Sequence, residues 1–128
     1  MIVMEISVVI PSLNSERVIG RAIRSAMEHT DEVIVVDSFS TDRTVEIARK
    51  EGAKVVQVSG SRLMARIEGA KLAKGNYIVN LDSDMYFSSN FSGFRERVIA
   101  LGEITVVKGI VSSMMSIDKK IHTKRVET

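Results

Sequence analysis

The stretch Val33-Ile34-Val35-Val36 sets four β-branched residues in a row and indicates the fold class of the chain. β-branched side chains favour strands, and an apolar run without polar alternation is typical of a strand that is covered on both faces. The earlier apolar run from Glu5 to Ile10 predicts another strand, which we expect to stop at Pro11 because proline cannot donate to a sheet ladder. Both strands suit a parallel sheet.

Amphipathic segments follow these two strands. Asn14 or Ser15 can cap a first helix, whose apolar face comprises Val18, Ile19, Ala22, Ile23, Ala26 and Met27. The run Ser40-Thr41-Asp42 supplies a cap and a negatively charged first turn for a second helix, which Gly52 ends. Each predicted strand is therefore followed by a predicted helix.

The same alternation continues downstream. A third strand is predicted at 54–58 and a fourth at 77–81, and the helix between them carries on one side Leu63, Ile67 and Ala70. A further helix to about Leu101 and a fifth strand at 104–108 complete the pattern. Alternating strands and helices predict an α/β fold in a single domain over residues 1–128, with half of a doubly wound, mostly parallel sheet.

Composition narrows the class of protein. The 128 residues include 18 basic and 16 acidic side chains, and a net charge of +2 is too balanced to indicate a nucleic-acid surface. The absence of cysteine excludes disulfides and thiolate metal sites. No apolar run approaches the roughly 18 residues of a membrane span. We expect a cytoplasmic domain, whose basic tail is a solvated face or, in a longer enzyme acting on lipids, a membrane-surface contact.

Three polar clusters lie at the ends of predicted strands, at residues 11–16, 37–42 and 82–84. Ligands of open α/β sheets bind beyond the carboxyl ends of the strands, so the clusters meet in one cleft if strands one, two and four are neighbours. Asp82 and Asp84 point the same way if their segment is extended, and two carboxylates suit Mg²⁺ or Mn²⁺ held together with substrate phosphates. The alternative is that Asp82 caps a turn and Asp84 is solvated.

Charged residues in and near these clusters have functional and structural interpretations. Asp37 can accept hydrogen bonds from the base or ribose of a nucleotide, or it can cap the helix near Thr41. Glu16 suits the first turn of a helix, where its charge complements the dipole. Arg62 and Arg66 begin the third helix, where the dipole disfavours cations. They therefore indicate an anionic partner such as a diphosphate, or else a solvated helix face.

The order of these motifs resembles that of family-2 glycosyltransferases, which have the GT-A fold. The segment SVVIPSLNSE at 7–16 is similar to the family's SVVIPxxNEE, and VVDSFSTDRT at 35–44 is similar to VVDDGSTDxT. The pair AR at 65–66, followed by Gly69, Gly75 and LDSD at 81–84, is similar to the family's ARNxG and LDxD. The likeness in order and spacing covers residues 6–84.

The resemblance implies a Rossmann-like sheet with helices on both faces. It also implies a transferase that takes its sugar from a nucleotide-diphosphate sugar with the help of Mn²⁺ or Mg²⁺. The residues it assigns to the nucleotide are Pro11, Leu13, Glu16, Asp37, Ser38, Arg66 and Asp82. Among these, Asp37 and Ser38 would contact the base. Asp84 would bind the metal, with Asp82 on the ribose or on a metal-bound water.

Three positions depart from the family pattern. Ser38 replaces a common second aspartate, which affects recognition of the base. Phe39 replaces a glycine that permits an unusual backbone angle, so we expect that turn to be reshaped. Ile67 replaces the asparagine that usually follows Arg66, which removes one polar contact with the donor.

No catalytic base is identified, because the carboxylates after Asp84 match no motif. We therefore expect either that the acceptor-binding half is absent or that the chain is a non-catalytic donor-binding module, one that needs a partner chain or has lost activity. The acceptor is not identified, and a severed sheet edge would favour a homo-oligomer. A nucleotidyltransferase would need a glycine-rich first loop, and an aspartyl-phosphate phosphatase would need Thr or Val two residues after its second aspartate.

Overall fold

Strands and helices alternate in the computed structural model, which describes residues 6–30, 32–75 and 77–88. In chain order, the elements of this part are β1 (Ile6–Ser12), α1 (Ile19–Met27), β2 (Glu32–Asp37), α2 (Thr44–Lys50), β3 (Lys54–Gln57), α3 (Arg62–Leu72) and β4 (Tyr77–Asn80). The helix expected to end near Leu101 and the strand expected at 104–108 lie outside the described residues. The predicted order of elements is confirmed for the part of the chain that is described.

The four strands form one sheet in the order β3-β2-β1-β4, and every pairing is parallel. Residues 33–36 of β2 are buried, as expected for a strand that is covered on both faces. β1 lies between β2 and β4, so the three strands whose ends carry polar clusters are neighbours. The chain winds from β1 outward to β3 and then crosses to β4 on the far side of β1. This reversal of direction is typical of a doubly wound sheet.

Helices cover both faces of the sheet. Residues of α1 and α2 share one buried cluster with β1, β2 and β4, which includes Val8, Ile10, Ile23, Val35, Ala48 and Leu81. The side chains of α3 pack on the opposite face, where Ala65 joins Val9, Ile34 and Val36. Successive β1 residues therefore face different helices, which is the expected consequence of the two-residue repeat of a strand. The predicted α/β, Rossmann-like architecture is confirmed.

The prediction that β1 stops before Pro11 is wrong, because the strand continues to Ser12. β1 pairs with β4 only as far as Val9, whose carbonyl accepts a hydrogen bond from Leu81 N. Ser12 O accepts from Ser38 N on the β2 side. Backbone groups alternate sides along a strand, so the nitrogen of Pro11 points to the β4 side, where the ladder has already ended. The missing N–H of proline therefore costs no ladder hydrogen bond.

Both helices after the first two strands begin later than predicted. α1 begins at Ile19 without a side-chain cap, so neither Asn14 nor Ser15 caps it. α2 begins at Thr44, whose backbone N–H donates to the Asp42 carboxylate at 2.9 Å. The backbone N–H groups of Asn14 and Ser15 instead donate to the hydroxyls of Ser40 and Thr44. Gly52, with a φ of 98°, ends α2 as predicted.

The buried side of α3 differs from the predicted one. Leu63 is 62% exposed and Ile67 is 40% exposed, whereas Ala65 and Gly69 face the sheet. A Cβ atom added to Gly69 would lie 2.3 Å from Val9 Cγ1. The helix therefore approaches β1 closely, and only a small side chain fits at the contact. Small residues, rather than the larger apolar ones, define the packed side of α3.

Candidate functional site

The three polar clusters meet in one cleft at the carboxyl ends of β1, β2 and β4. The cleft has a volume of about 840 Å³ and is lined by Pro11, Ser12, Leu13, Asn14, Ser15, Glu16, Arg17, Val18, Ser38, Asp42, Gly60, Arg62, Asp82, Ser83 and Asp84. Ligand pockets in proteins are of this size, roughly 300–1,000 Å³. The expected convergence of the clusters is confirmed. The β3–α3 connection also contributes to the wall, through Gly60 and Arg62.

Side chains bind the β1–α1 loop to the β2–α2 loop. Asn14 N donates to Ser40 Oγ at 2.7 Å, and Asn14 Oδ1 accepts from Thr41 N at 2.8 Å. Ser15 N donates to Thr44 Oγ1 at 2.7 Å. Asn14 has a φ of 48°, and asparagine tolerates this left-handed conformation better than most residues. The two loops therefore form one continuous, hydrogen-bonded wall of the cleft.

Glu16 takes part in the same connection between the loops. Its backbone N–H donates to Asp42 Oδ2 at 3.2 Å, and its Oε1 accepts from Arg43 N at 3.0 Å. Glu16 lines the cleft, as the resemblance implies, but one of its carboxylate oxygens already has a backbone partner. Its contacts with the neighbouring loop shape the cleft wall.

Asp37 is fully buried at the end of β2 and does not line the cleft. Its Oδ1 accepts from the hydroxyls of Ser12, at 2.8 Å, and Ser40, and its Oδ2 accepts from Ser40 N at 2.8 Å and Gln57 Nε2 at 3.2 Å. A carboxylate offers about four acceptor positions, so this one has none left for a ligand. Contact of Asp37 with the base stays a prediction. The alternative, that Asp37 caps the helix near Thr41, is wrong, because α2 begins at Thr44 and Asp37 accepts instead from Ser40 in the turn before it.

Burial and hydrogen bonding act on the Asp37 carboxyl in opposite directions. Burial alone would raise its pKa, because the charged form loses its hydration. The hydrogen bonds from Ser40, Ser12 and Gln57 favour the charged form and outweigh burial, so the pKa is lowered from its ordinary value. Asp37 is therefore an ionised, structural acid that holds β1, β2, β3 and the following turn together.

The turn after β2 presents Ser38 and Phe39. Ser38 lines the cleft, and its N–H donates to Ser12 O at 2.9 Å. Its contact with the base stays a prediction. Phe39 has a φ of 58°, which lies in the left-handed region that favours glycine. The expectation that Phe39 reshapes the turn is wrong, because the phenylalanine adopts the unusual backbone angle itself. The hydrogen bonds of Asp37 and Ser40 on either side of it impose that angle.

Asp82 and Asp84 both line the cleft, but their segment is not extended. Met85 N donates to Asp82 O at 3.0 Å, which closes a turn directly after β4 ends at Asn80. The two carboxylates were expected to point the same way on the condition that their segment is extended. This condition is not met, because the segment forms a turn. Ser83 Oγ lies 3.0 Å from Ser15 Oγ, so the turn is joined to the β1–α1 loop.

The two acids differ in their surroundings. Asp84 is exposed to the cleft, whereas the side chain of Asp82 is only 12% exposed and forms an ion pair with Arg66 at 3.3 Å between Nη2 and Oδ1. Arg66 itself does not line the cleft, and its Nε is buried with no hydrogen-bond partner within the described residues. Arg66 is thus connected to the cleft through Asp82, and its nearness to a donor stays a prediction.

Two other arginines contribute positive charge to the cleft wall. Arg62 lines the cleft. An anionic partner was predicted for it because the helix dipole disfavours a cation at the start of a helix. Arg17, which follows Glu16 directly, also lines it and was missed by the sequence analysis. The signal for Arg17 was its position next to the first polar cluster. The cleft therefore combines two exposed cations with the acids at the end of β4.

The acids of the cleft fit a cation that takes part of its coordination from a ligand. No group of three or more His, Cys, Asp or Glu side chains able to hold a metal is present in residues 6–30, 32–75 and 77–88. Mg²⁺-type ions commonly use one or two protein carboxylates and complete their shell with phosphate oxygens and water. Asp84, with Asp82 beside it, matches that donor set.

The segment after the acids is held against α1. Phe87 is buried, and its N–H donates to Ser25 Oγ at 3.0 Å. Its ring meets that of His29 edge-on, with centroids 5.8 Å apart, and the Arg21 guanidinium lies 4.1 Å from the centroid of the Tyr86 ring. Burial lowers the pKa of His29, although the charge of Glu28 opposes this effect. These contacts fix the position of the turn that carries Asp82 and Asp84.

A parallel, doubly wound sheet with a polar cleft at its carboxyl edge is the architecture of a Rossmann-like domain, the class to which the GT-A fold belongs. The model of glycosyl transferase family 2 matches residues 7–124. The chain therefore belongs to glycosyl transferase family 2. Within the described residues, no helix is long and apolar enough to cross a membrane.

Several characterised and solved proteins are similar to this chain. A poly(ribitol-phosphate) beta-glucosyltransferase of Bacillus spizizenii is 35% identical over 126 residues, which cover 83% of this chain and 20% of that protein. The crystal structure of glucosyl-3-phosphoglycerate synthase from Mycobacterium tuberculosis is 34% identical, with a TM-score of 0.60 over 65% of this chain and 35% of that one. Its complex with Mn²⁺ and UDP-glucose has a TM-score of 0.62 at 27% identity and covers 90% of this chain and 40% of that one. The chain thus spans 20–40% of the length of these proteins.

Proposed function

We propose that this chain binds the nucleotide-diphosphate sugar donor of a glycosyl transfer reaction. The observation that carries the proposal is the meeting of Asp82, Asp84, Arg17 and Arg62 in one cleft of about 840 Å³ at the carboxyl edge of the sheet. Acids that can share a divalent cation, close to arginines that can pair with phosphate oxygens, suit a diphosphate. The complexes of the similar mycobacterial synthase with UDP, and with UDP-glucose and Mn²⁺, favour a donor of this class.

The residues have different parts in this proposal. Asp84 would hold Mn²⁺ or Mg²⁺, because it is the more exposed acid, and Asp82, restrained by Arg66, would contact the ribose or a metal-bound water. When bound, the ion would act as a Lewis acid toward the departing diphosphate. Pro11, Leu13 and Ser38 would lie along the nucleoside, since they line the β1 and β2 side of the cleft.

Charge stabilisation is the chemical contribution that these side chains can make. Breaking the bond from the sugar to the diphosphate passes through an oxocarbenium-like transition state and leaves negative charge on the diphosphate. Arg17 and Arg62 line the cleft wall, where they would stabilise that charge. Glu16, Asn14 and Asp42 would keep the wall rigid, so that the donor is held in one orientation.

The alternative function is a donor-binding module without transfer activity. Transfer to an acceptor also needs a base for the acceptor hydroxyl, and we assign that role to none of the described carboxylates. The two functions agree on donor binding and differ in turnover. Release of the free nucleoside diphosphate from a UDP-sugar by the chain alone would identify an enzyme, and binding without release would identify the module. The acceptor, a homo-oligomeric state and a cytoplasmic location stay predictions.

A thermal-shift experiment tests donor binding directly. We expect one nucleoside diphosphate from a panel that includes UDP to raise the melting temperature in the presence of Mn²⁺ or Mg²⁺ and not in its absence. Saturation at about 100 times the Kd would add about 2.7 kcal/mol to the free energy of unfolding. Asp84→Asn should abolish the shift. The exposed acid Glu28, at the end of α1, provides the matched control Glu28→Gln, which should keep it. A panel without any metal-dependent shift would contradict the proposal.

A further inference from the structure

Two serine hydroxyls join the acids of the cleft to the β1–α1 loop. Residues 82–84 form the acid turn after β4, in which Ser83 lies between the two aspartates. Ser83 Oγ lies 3.0 Å from Ser15 Oγ, and both serines line the cleft. The Ser15 hydroxyl also lies 3.3 Å from Leu13 O, to which it can donate while it accepts from Ser83. The two hydroxyls therefore connect the acid turn to the backbone of the β1–α1 loop.

The ladder between β1 and β4 ends before the acid turn. β1 pairs with β4 as far as Val9, whose carbonyl accepts from Leu81 N at 2.9 Å, although β1 itself continues to Ser12. The acid turn thus lies beyond the backbone hydrogen bonds that fix one strand against another. Its placement against the β1–α1 loop therefore depends on side-chain contacts such as that between Ser83 and Ser15.

Ser15 is itself fixed to the rest of the fold. Its backbone N–H donates at 2.7 Å to the hydroxyl of Thr44, a buried residue at the start of α2. The preceding residue, Asn14, donates its N–H to Ser40 Oγ at 2.7 Å. Because the second loop holds Ser15 from the other side, the Ser15 hydroxyl is a fixed point to which the acid turn can be tied.

The contact between the serines is neutral. Serine stands at position 15, where the family motif SVVIPxxNEE has a glutamate. A hydroxyl at this position reaches Ser83 without supplying a carboxylate that would compete with Asp84 for a cation, since carboxylates are preferred ligands of such ions. The contribution of the serine pair to a cation site is therefore one of position.

We propose that the Ser15–Ser83 contact positions the acid turn, so that Asp84 holds a divalent cation at the distance from the β1–α1 loop that a nucleoside diphosphate requires. The inference rests on the proposed function, since it places the cation and the nucleotide together in this cleft. Ser15 and Ser83 are then positioning residues that act on the cation through Asp84. Without either hydroxyl the turn is held less precisely against the wall, and a loosely held ligand group binds a cation less well.

Calorimetric titration of the full chain with UDP at a fixed concentration of Mn²⁺ tests the inference. Ser83→Ala should weaken UDP binding about five-fold, the size of effect expected for one lost hydrogen bond. Ser15→Ala should have the same effect. The double variant should be no weaker than either single variant, because both substitutions remove the same contact.

Two further variants separate the hydroxyl from a general disturbance of the cleft. Ser83→Thr keeps the hydroxyl and should retain the affinity of the unaltered chain. Ser59→Ala, at an exposed serine that does not line the cleft, is the matched control and should retain it as well. A threonine variant that binds UDP as weakly as Ser83→Ala would overturn the positioning role of the hydroxyl.

The remaining outcomes separate the inference from the function on which it rests. UDP binding by Ser83→Ala equal to that of the unaltered chain would overturn the inference and leave the donor site in place. Effects of the two alanine substitutions that add up in the double variant would also overturn it, because the serines would then act independently. Failure of the unaltered chain to bind any nucleoside diphosphate with Mn²⁺ would overturn the proposed function, and the inference with it.

Discussion

Ser12 and Asp37 are the last residues of two neighbouring strands, they pair in register, and the Ser12 hydroxyl donates to Asp37 Oδ1 at 2.8 Å. This bond joins the ends of β1 and β2 at the level where the cleft begins. The remaining acceptors of Asp37 are used by Ser40 and Gln57, so one carboxylate holds the strand ends and the following turn. The shape of the cleft therefore depends on a buried residue that does not line it.

Replacement of Asp37 should destabilise the fold and not merely reduce binding. Asp37→Ala leaves several buried donors without an acceptor, and we expect the free energy of unfolding to fall by about 3 kcal/mol. Asp37→Asn keeps the shape but loses the charge, so a fall of about 1–2 kcal/mol is expected. Urea unfolding at neutral pH measures both. Glu28→Gln, an exposed control, should change the value by less than about 0.5 kcal/mol. If Asp37→Ala behaves like that control, Asp37 does not hold the loops.

The same carboxylate should make stability depend on acid pH. The folded-state pKa of Asp37 is below its ordinary value, so the unfolded chain takes up the proton first as the pH falls. The stabilisation by the ionised Asp37 carboxylate is complete above the pKa that an aspartate has in the unfolded chain, near 4. It is lost as the pH falls through the pKa of Asp37 in the folded chain. Unfolding measured between pH 6 and about pH 3 should therefore decline less steeply for Asp37→Asn than for the unaltered chain. Parallel curves would contradict this assignment.

The contact between Gly69 and Val9 should make α3 intolerant of a larger residue. Gly69→Ala would set a Cβ atom 2.3 Å from Val9 Cγ1, and overpacking of this kind costs about 1–3 kcal/mol. The better helix propensity of alanine offsets only about 1 kcal/mol of that cost. Gly20→Ala in α1 is the control, because its nearest contact, at 3.1 Å, is the flexible end of Arg24. Thermal unfolding should show a loss for the first variant and no loss for the second.

Relief of the backbone strain at Phe39 should stabilise the fold measurably. Phe39→Gly relieves a left-handed conformation that costs about 1–2 kcal/mol, less the extra backbone entropy of glycine. We expect a net gain of up to about 1 kcal/mol in the free energy of unfolding, and Phe39→Asn should retain part of it. Denaturant midpoints compare the three proteins. A lower midpoint for both variants would indicate that the ring stabilises the fold.

The lowered pKa of His29, whose ring packs against Phe87, should make the stability of the fold depend on pH. Burial lowers the pKa of His29 in the folded chain, so protonation favours unfolding. The contribution of neutral His29 to stability is complete above the pKa of a histidine in the unfolded chain, about 6.5. It is lost as the pH falls through the pKa of His29 in the folded chain. We expect a fall in unfolding free energy between pH 7 and about pH 5 that His29→Phe removes. A fall of equal size in that variant would assign the effect to another group.

The sequence by itself determined the strands, the helices between them and the three polar clusters. These follow from local patterns, such as the β-branched run at 33–36 and Gly52 after α2, which act over a few residues. From the sequence, the clusters were expected to meet if strands one, two and four are neighbours. The order of the strands in the sheet meets that condition. The motifs from residue 7 to residue 84 also sufficed to identify the family.

Only the tertiary structure decided what the individual side chains do. Asn14 and Ser15 were expected to cap α1, but they bind residues 26–29 positions away in the chain. Asp82 pairs with Arg66, and Ser83 with Ser15, 68 positions earlier. Small residues rather than large ones face the sheet on α3, because the helix lies against Val9. Hydrogen bonds and close packing between distant segments depend on three-dimensional placement, which local hydrophobic patterns do not encode.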